Sequence, residues 1–209
     1  GLSFIAGSID FSGGIFSCYF NSNNSGSVGT VTINGACSIN YSNPSDEFTF
    51  IGLAYSGFDL NNLSLNLTIT GAFSISGAAG TFVSSRSLGN ETISLSSFSV
   101  SAGNNSFNSV SGSLSPNGHN VTMTISGNVT ITGGTTYLSG FSQTLTGIIS
   151  GGLNISGGTL AIKGGDCTTS TLNILGGFVM TGGEFYLHKS ATDELPSSST
   201  ITVNINSND

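Results

Sequence analysis

Residues 131–183 read ITGGTTYLSGFSQTLTGIISGGLNISGGTLAIKGGDCTTSTLNILGGFVMTGG. Apolar residues alternate with polar ones in short runs, and Gly-Gly separates the runs. The Gly pairs begin at positions 133, 151, 157, 164, 176 and 182, in steps of 18, 6, 7, 12 and 6. A β-solenoid stacks coils at a fixed period. The unequal steps count against such coils, and the pairs read instead as tight turns and bulges in a Gly-rich sheet. The expected fold is all-β: an incomplete Ig-like or jelly-roll-like β-sandwich.

The rest of the chain agrees with an all-β fold. Charged residues make up only 6% of the 209, while 31 Gly, 14 Phe and 5 Tyr occur. Good helix formers are scarce, and no window carries a 3.6-residue apolar stripe. Leu63, Leu65, Leu67 and Ile69 form the cleanest period-2 run. Further strand candidates are Val28 to Ile33, Ile93 to Val100, Val121 to Ile125 and Ile201 to Ile205, and Phe48 to Tyr55 is apolar on both faces, as in a central strand or the wall of a groove. Short strands spaced by about 8–12 residues suit a sandwich or barrel.

The N-terminal stretch Gly1 to Phe11 reads as a separate strand-like arm, set off by Gly13-Gly14. Ile5, Ile9 and Phe11 share one phase, with Gly7 between them and Asp10 opposite. An isolated strand cannot bury such a row, so it packs either into its own body as an ordinary first strand or into a neighbour's. The expected division is a donor-strand arm over 1–14 and a β-sandwich domain over 15–209. A neighbouring copy would supply an open groove for Ile5, Gly7, Ile9 and Phe11, and head-to-tail contacts that do not close build an open filament.

Few residues suggest chemistry. The net charge of −7 comes from ten acids and three bases spread thinly, so no basic patch invites nucleic acid. No run of about 18 apolar residues predicts a membrane-spanning helix. Asp46-Glu47 and Asp193-Glu194 sit in turn-like settings and read as solvated corners. His119 and His188 have no neighbouring ligand set, and no G-x-S-x-G elbow occurs. We expect no catalytic residues, no metal and no cofactor. Cys18 and Cys37, on successive strands, are the preferred disulfide, and pairing of either with Cys167 stays open.

Nine N-x-S/T sequons occur, at Asn23, Asn40, Asn62, Asn66, Asn90, Asn104, Asn120, Asn128 and Asn154. Composition alone would produce several. Their phase is more telling: Asn62, Asn66, Asn120, Asn128 and Asn154 lie opposite apolar rows, where a glycan fits. Dense N-glycosylation is expected, because a surface so poor in charge needs another source of solubility.

The arm with Ile5, Gly7, Ile9 and Phe11, the Cys18 and Cys37 pair, the all-β body and the sequons together resemble a subunit of the archaeal thread filament. Those subunits are similar in architecture to bacterial type 1, chaperone–usher pilins. The resemblance implies donor-strand complementation, an extracellular cell-surface filament of identical subunits, heavy glycosylation and a role in cell adhesion. The alternative is a secreted β-sandwich or β-solenoid adhesin or binding module. Its surface would be flat Thr-rich rows such as Thr122-Thr124 and Thr130-Thr132; sugar stacking on such rows is weakened by the absence of Trp, and the regular Thr ladders at a constant coil period that would support ice binding are absent from the sequence.

Overall fold

The structure, a computed structural model, describes residues 2–18, 28–50, 64–84, 89–107, 120–140, 144–164, 169–189 and 199–206. It is all-β, but it corrects the expected sandwich: the chain winds as a parallel β-solenoid. Each strand ends in a bend rather than a hairpin, so its partner is the strand one coil later, running the same way. Period-2 alternation places a side chain inside or outside; it does not say which strand lies alongside.

The first coil comprises β1 (Leu2–Ala6), β2 (Ile9–Phe11) and β3 (Ile15–Ser17), and the second β4 (Val28–Ile33), β5 (Cys37–Tyr41) and β6 (Glu47–Thr49). In the third and fourth coils one long strand bends around the first corner: β7 (Ser64–Gly77) is followed by β8 (Thr81–Val83), and β9 (Glu91–Val100) by β10 (Asn104–Ser106). The fifth holds β11 (Asn120–Ile125), β12 (Val129–Ile131) and β13 (Thr135–Ser139), and the sixth β14 (Thr144–Ile149), β15 (Leu153–Ile155) and β16 (Thr159–Lys163). The seventh holds β17 (Thr169–Ile174), β18 (Phe178–Met180) and β19 (Glu184–His188), and β20 (Thr200–Ile205) stacks on β17. The third face is a sheet of seven strands from β3 to β19, so six full turns separate its ends.

In-register stacking turns each coil position into a column. Inside the first face, Ile33, Ile69, Leu95, Ile125, Ile149 and Ile174 lie one above another, all buried. Phenylalanines fill the earlier coils. Phe48 meets Phe16 in a stack with centroids 4.5 Å apart and meets Phe11 and Phe50 edge-on at 5.2 and 5.0 Å. Phe73 lies 5.1 Å from Phe98 on the next coil. Such ring pairs add about 0.5–1.5 kcal/mol each beyond their burial.

Five of the six glycine pairs mark two different corners, and the pair beginning at Gly164 follows the third-face strand β16. Gly127, Gly151 and Gly176 stack at the first corner, so closely that a Cβ on Gly151 would stand 2.4 Å from the Gly127 carbonyl carbon. Gly134, Gly158 and Gly183 form the second corner, each with positive φ; at Gly158 it is 68°. That conformation costs an L side chain free energy and glycine nothing.

The N-terminal stretch does not protrude. β1 pairs with β4 and β2 with β5 of the same chain, so residues 2–17 are the first coil rather than a free arm. The corner at Gly7 and Ser8 resets the phase expected from a continuous strand. Phe4 therefore faces the core, whereas Ile5 is 67% exposed; Ile9 and Phe11 pack against the core. Cys18 and Cys37 are free thiols rather than a disulfide. Cys37 opens β5 on the second face, whereas Cys18 follows β3 on the third face of the preceding coil. Cys167 lies outside the described residues.

Replacing Gly151 with Ala should cost about 1–3 kcal/mol, because the added methyl meets backbone that cannot withdraw. Gly7→Ala, where a Cβ has nothing within 4 Å, should stay within about 0.5 kcal/mol of wild type. Urea unfolding midpoints of the two variants check this difference.

Candidate functional site

The three faces differ in what they show to solvent. On the third face one outward column is largely covered, with Thr49, Val83, Ser106 and Ala161 all buried, while the other carries exposed Ile15, Asn104 and Glu184. Charged side chains also gather there, with Glu47, Lys163 and Glu184 on its strands. The second face has short strands and one outward column, from Asp10 through Ser38, Ser74, Ser99, Thr130 and Asn154 to Val179.

The first face is the widest and is uncharged. Its central outward column reads Ser3, Thr30, Asn66, Thr92, Thr122, Thr146, Thr171 and Thr202. Five threonines stand in unbroken succession on β9, β11, β14, β17 and β20. The neighbouring column reads Ile5, Thr32, Thr68, Ser94, Thr124, Ile148, Asn173 and Asn204. A third column, Asn120, Thr144, Thr169 and Thr200, flanks the later coils. None of these three columns contains a charged or aromatic residue. The side chains are tied between coils: Asn204 Nδ2 donates to Asn173 Oδ1 at 2.8 Å, and Thr144 Oγ1 donates to Asn120 Oδ1 at 2.5 Å. Parallel pairing fixes the columns about 4.8 Å apart from coil to coil and about 6.6–6.8 Å apart along each strand.

This face contains only part of what the sequence suggested. Thr122 and Thr124 do lie on it, but Thr130 is on the second face and Thr132 at the corner beyond. The ladder required for ice binding, sought at a constant period, is present at a variable one. From Thr122 to Thr146 to Thr171 the steps are 24 and 25 residues; from Thr30 to Asn66 the step is 36. The available signal was the tripeptide Thr-x-Thr on first-face strands: Thr30 to Thr32 on the second coil, and Thr122 to Thr124, Thr144 to Thr146, Thr169 to Thr171 and Thr200 to Thr202 on β11, β14, β17 and β20.

The sequons are distributed around the solenoid. Asn66 and Asn120 are exposed on the first face, and Asn40, Asn90, Asn104 and Asn128 are exposed elsewhere. Asn154 is half-buried on the second face, and Asn128 Oδ1 accepts a hydrogen bond from Gly152 N–H at 2.8 Å. Asn23, Asn62, His119 and the Asp193-Glu194 pair lie outside the described residues. Among the described residues no group of three or more His, Cys, Asp or Glu is arranged to hold a metal, and no helix is long and apolar enough to cross a membrane.

Two carboxyls have structural roles that sequence reading missed. Asp46 is buried rather than a solvated corner. It accepts hydrogen bonds from Gly14 N–H at 2.8 Å, Ser42 N–H at 2.6 Å, the Ser42 hydroxyl at 2.9 Å and Asn43 N–H at 3.0 Å, tying the first coil to the second. Burial works to raise its pKa, but these bonds outweigh it and hold the carboxyl at about 2. Glu91 faces inward between Leu65 and Val121 and is 1% exposed. Burial pushes its pKa up to about 8, against the opposing effect of a hydrogen bond from the Ser84 hydroxyl.

Comparison with known proteins gives no match, whether with a family profile, a curated protein or a solved structure.

Between pH 4.5 and about pH 8 the unfolded chain ionises at Glu91 while the folded chain keeps its proton. The contribution is therefore fully present below pH 4.5 and is lost as pH rises through about 8. Glu91→Gln should flatten that decline and raise stability at pH 9 by more than ~1 kcal/mol. Urea midpoints at pH 5 and pH 9 measure it.

Proposed function

We propose that this chain is a β-solenoid binding module, and that its first face adsorbs to an extended, regular and uncharged surface. The observation that carries this reading is the registered Thr, Ser and Asn array on a face without charge. A protein whose only task there was solubility would gain from charged side chains in those columns. A face built for a compact soluble ligand would be concave and partly apolar. These columns instead offer hydroxyl, amide and methyl groups at a fixed two-dimensional spacing, which suits a partner that is itself a repeating solid.

The pairing of β1 and β2 within their own chain removes the free arm from which polymerisation by donor strand was inferred, and it favours the binding-module alternative. We retain the expectation of an extracellular glycoprotein, which the exposed sequons support. Asn66 and Asn120 are themselves members of the columns, so glycans there would cover part of the array and leave its last coils, with Thr171 and Thr202, clear. The reading assigns binding rather than catalysis to the array.

Adsorption of the full chain to microcrystalline cellulose, chitin and polycrystalline ice tests this. Retention on at least one solid is expected, and Thr122→Lys with Thr171→Lys should abolish it. Ser74→Lys on the second face should not. Failure to adsorb to any of the three, or equal loss in the second-face variant, would overturn the assignment.

A further inference from the structure

Resting on the first face as the binding surface, we propose that its ligand is crystalline water. The argument begins with the two repeats of the face. Coils succeed each other at about 4.7–4.9 Å, and outward residues along a strand recur at about 6.6–6.8 Å. Prism planes of hexagonal ice present oxygens in a rectangular net. Its short side lies within a few tenths of an ångström of the first repeat, and its long side is slightly longer than the second.

The side chains suit that lattice. A threonine hydroxyl can donate to and accept from lattice waters, and its methyl leaves the adjoining waters to bond to one another. The registered pairs Thr144 with Thr146, Thr169 with Thr171 and Thr200 with Thr202 repeat this arrangement on three successive coils. Threonine is β-branched, so χ1 is restricted and little rotamer freedom is lost on contact. A charged group would hold its own hydration shell and break the lattice, and these columns contain none. Crystalline polysaccharide is the rival solid. Sugar rings pack most effectively on aromatic side chains, and the three columns contain none of these either.

The strands lie in one hydrogen-bonded sheet, so the positions are set before any ligand arrives. Adsorption then immobilises few rotatable groups, which is the condition under which many weak contacts sum to tight binding. Ile148 interrupts the neighbouring column without adding charge, and apolar groups are compatible with an ordered water layer.

The test is partition of the full chain into slowly growing ice on a cold finger, with an unrelated soluble protein as the reference. Wild type should enter the ice, whereas Thr171→Tyr should be depleted by about tenfold or more, the equivalent of 1.4 kcal/mol. Thr202→Tyr, on the exposed edge strand β20, should show the same depletion if Thr171→Tyr fails to fold. Thr130→Tyr on the second face should partition as wild type, and circular dichroism should show the β-signature in every variant scored. Exclusion of wild type from ice, or unchanged partition of a folded ladder variant, would overturn the proposal. Exclusion from ice combined with Thr171-dependent retention on cellulose or chitin would overturn ice alone and leave the binding face standing. Absence of retention on every solid would remove both.

Discussion

Parallel, in-register hydrogen bonding between successive coils is the constraint on which everything else depends. Backbone N–H and C=O groups of one strand find partners on the strand above or below, as they must when buried. The coils therefore lie at a fixed separation, and a residue is held against its counterpart one turn away. A column must tolerate its own repetition. Aliphatic side chains do so by stacking in the core, and glycines do so at the first corner, where Gly127, Gly151 and Gly176 leave no room for a Cβ. The same separation gives the outward threonines their spacing. Core, corners and outward threonine columns are thus three results of one pairing pattern.

Much of the local structure was legible. The apolar phases of Val28 to Ile33, Leu65 to Ile69, Val121 to Ile125 and Ile201 to Ile205 match the faces observed. What alternation cannot encode is the identity and direction of a strand's neighbour. The Gly pairs held that information, but as two interleaved series with the pair at Gly164 belonging to neither. Gly133, Gly157 and Gly182 recur at 24 and 25 residues on the second corner, and Gly127, Gly151 and Gly176 recur at the same intervals on the first. Read as one series they look irregular; separated, they give the coil length. The N-terminal misreading has a related cause, since Ile5 and Ile9 share parity only if no corner intervenes, and one does at Gly7.

The threonine columns of the first face were less accessible to sequence reasoning because the coils vary in length. From the third-face position to the next first-face position the chain runs 9 residues between Val83 and Thr92 but 17 between Thr49 and Asn66. A fixed-period search loses register at the first long connection. The buried acids escaped for a different reason. Nothing adjacent in sequence shows that Asp46 receives the N–H of Gly14, 32 residues away, or that Glu91 occupies an interior column.

The unequal coils have an evolutionary corollary. Most of the length variation enters at one edge of the prism, between the last strand of one turn and the first strand of the next. Segments of different size can be accepted there without displacing the rows on the opposite sides, because register is restored by pairing and not by counting residues. The architecture separates a conserved geometry from a permissive seam, so such a chain can acquire new surface features by insertion while its ordered array persists unchanged.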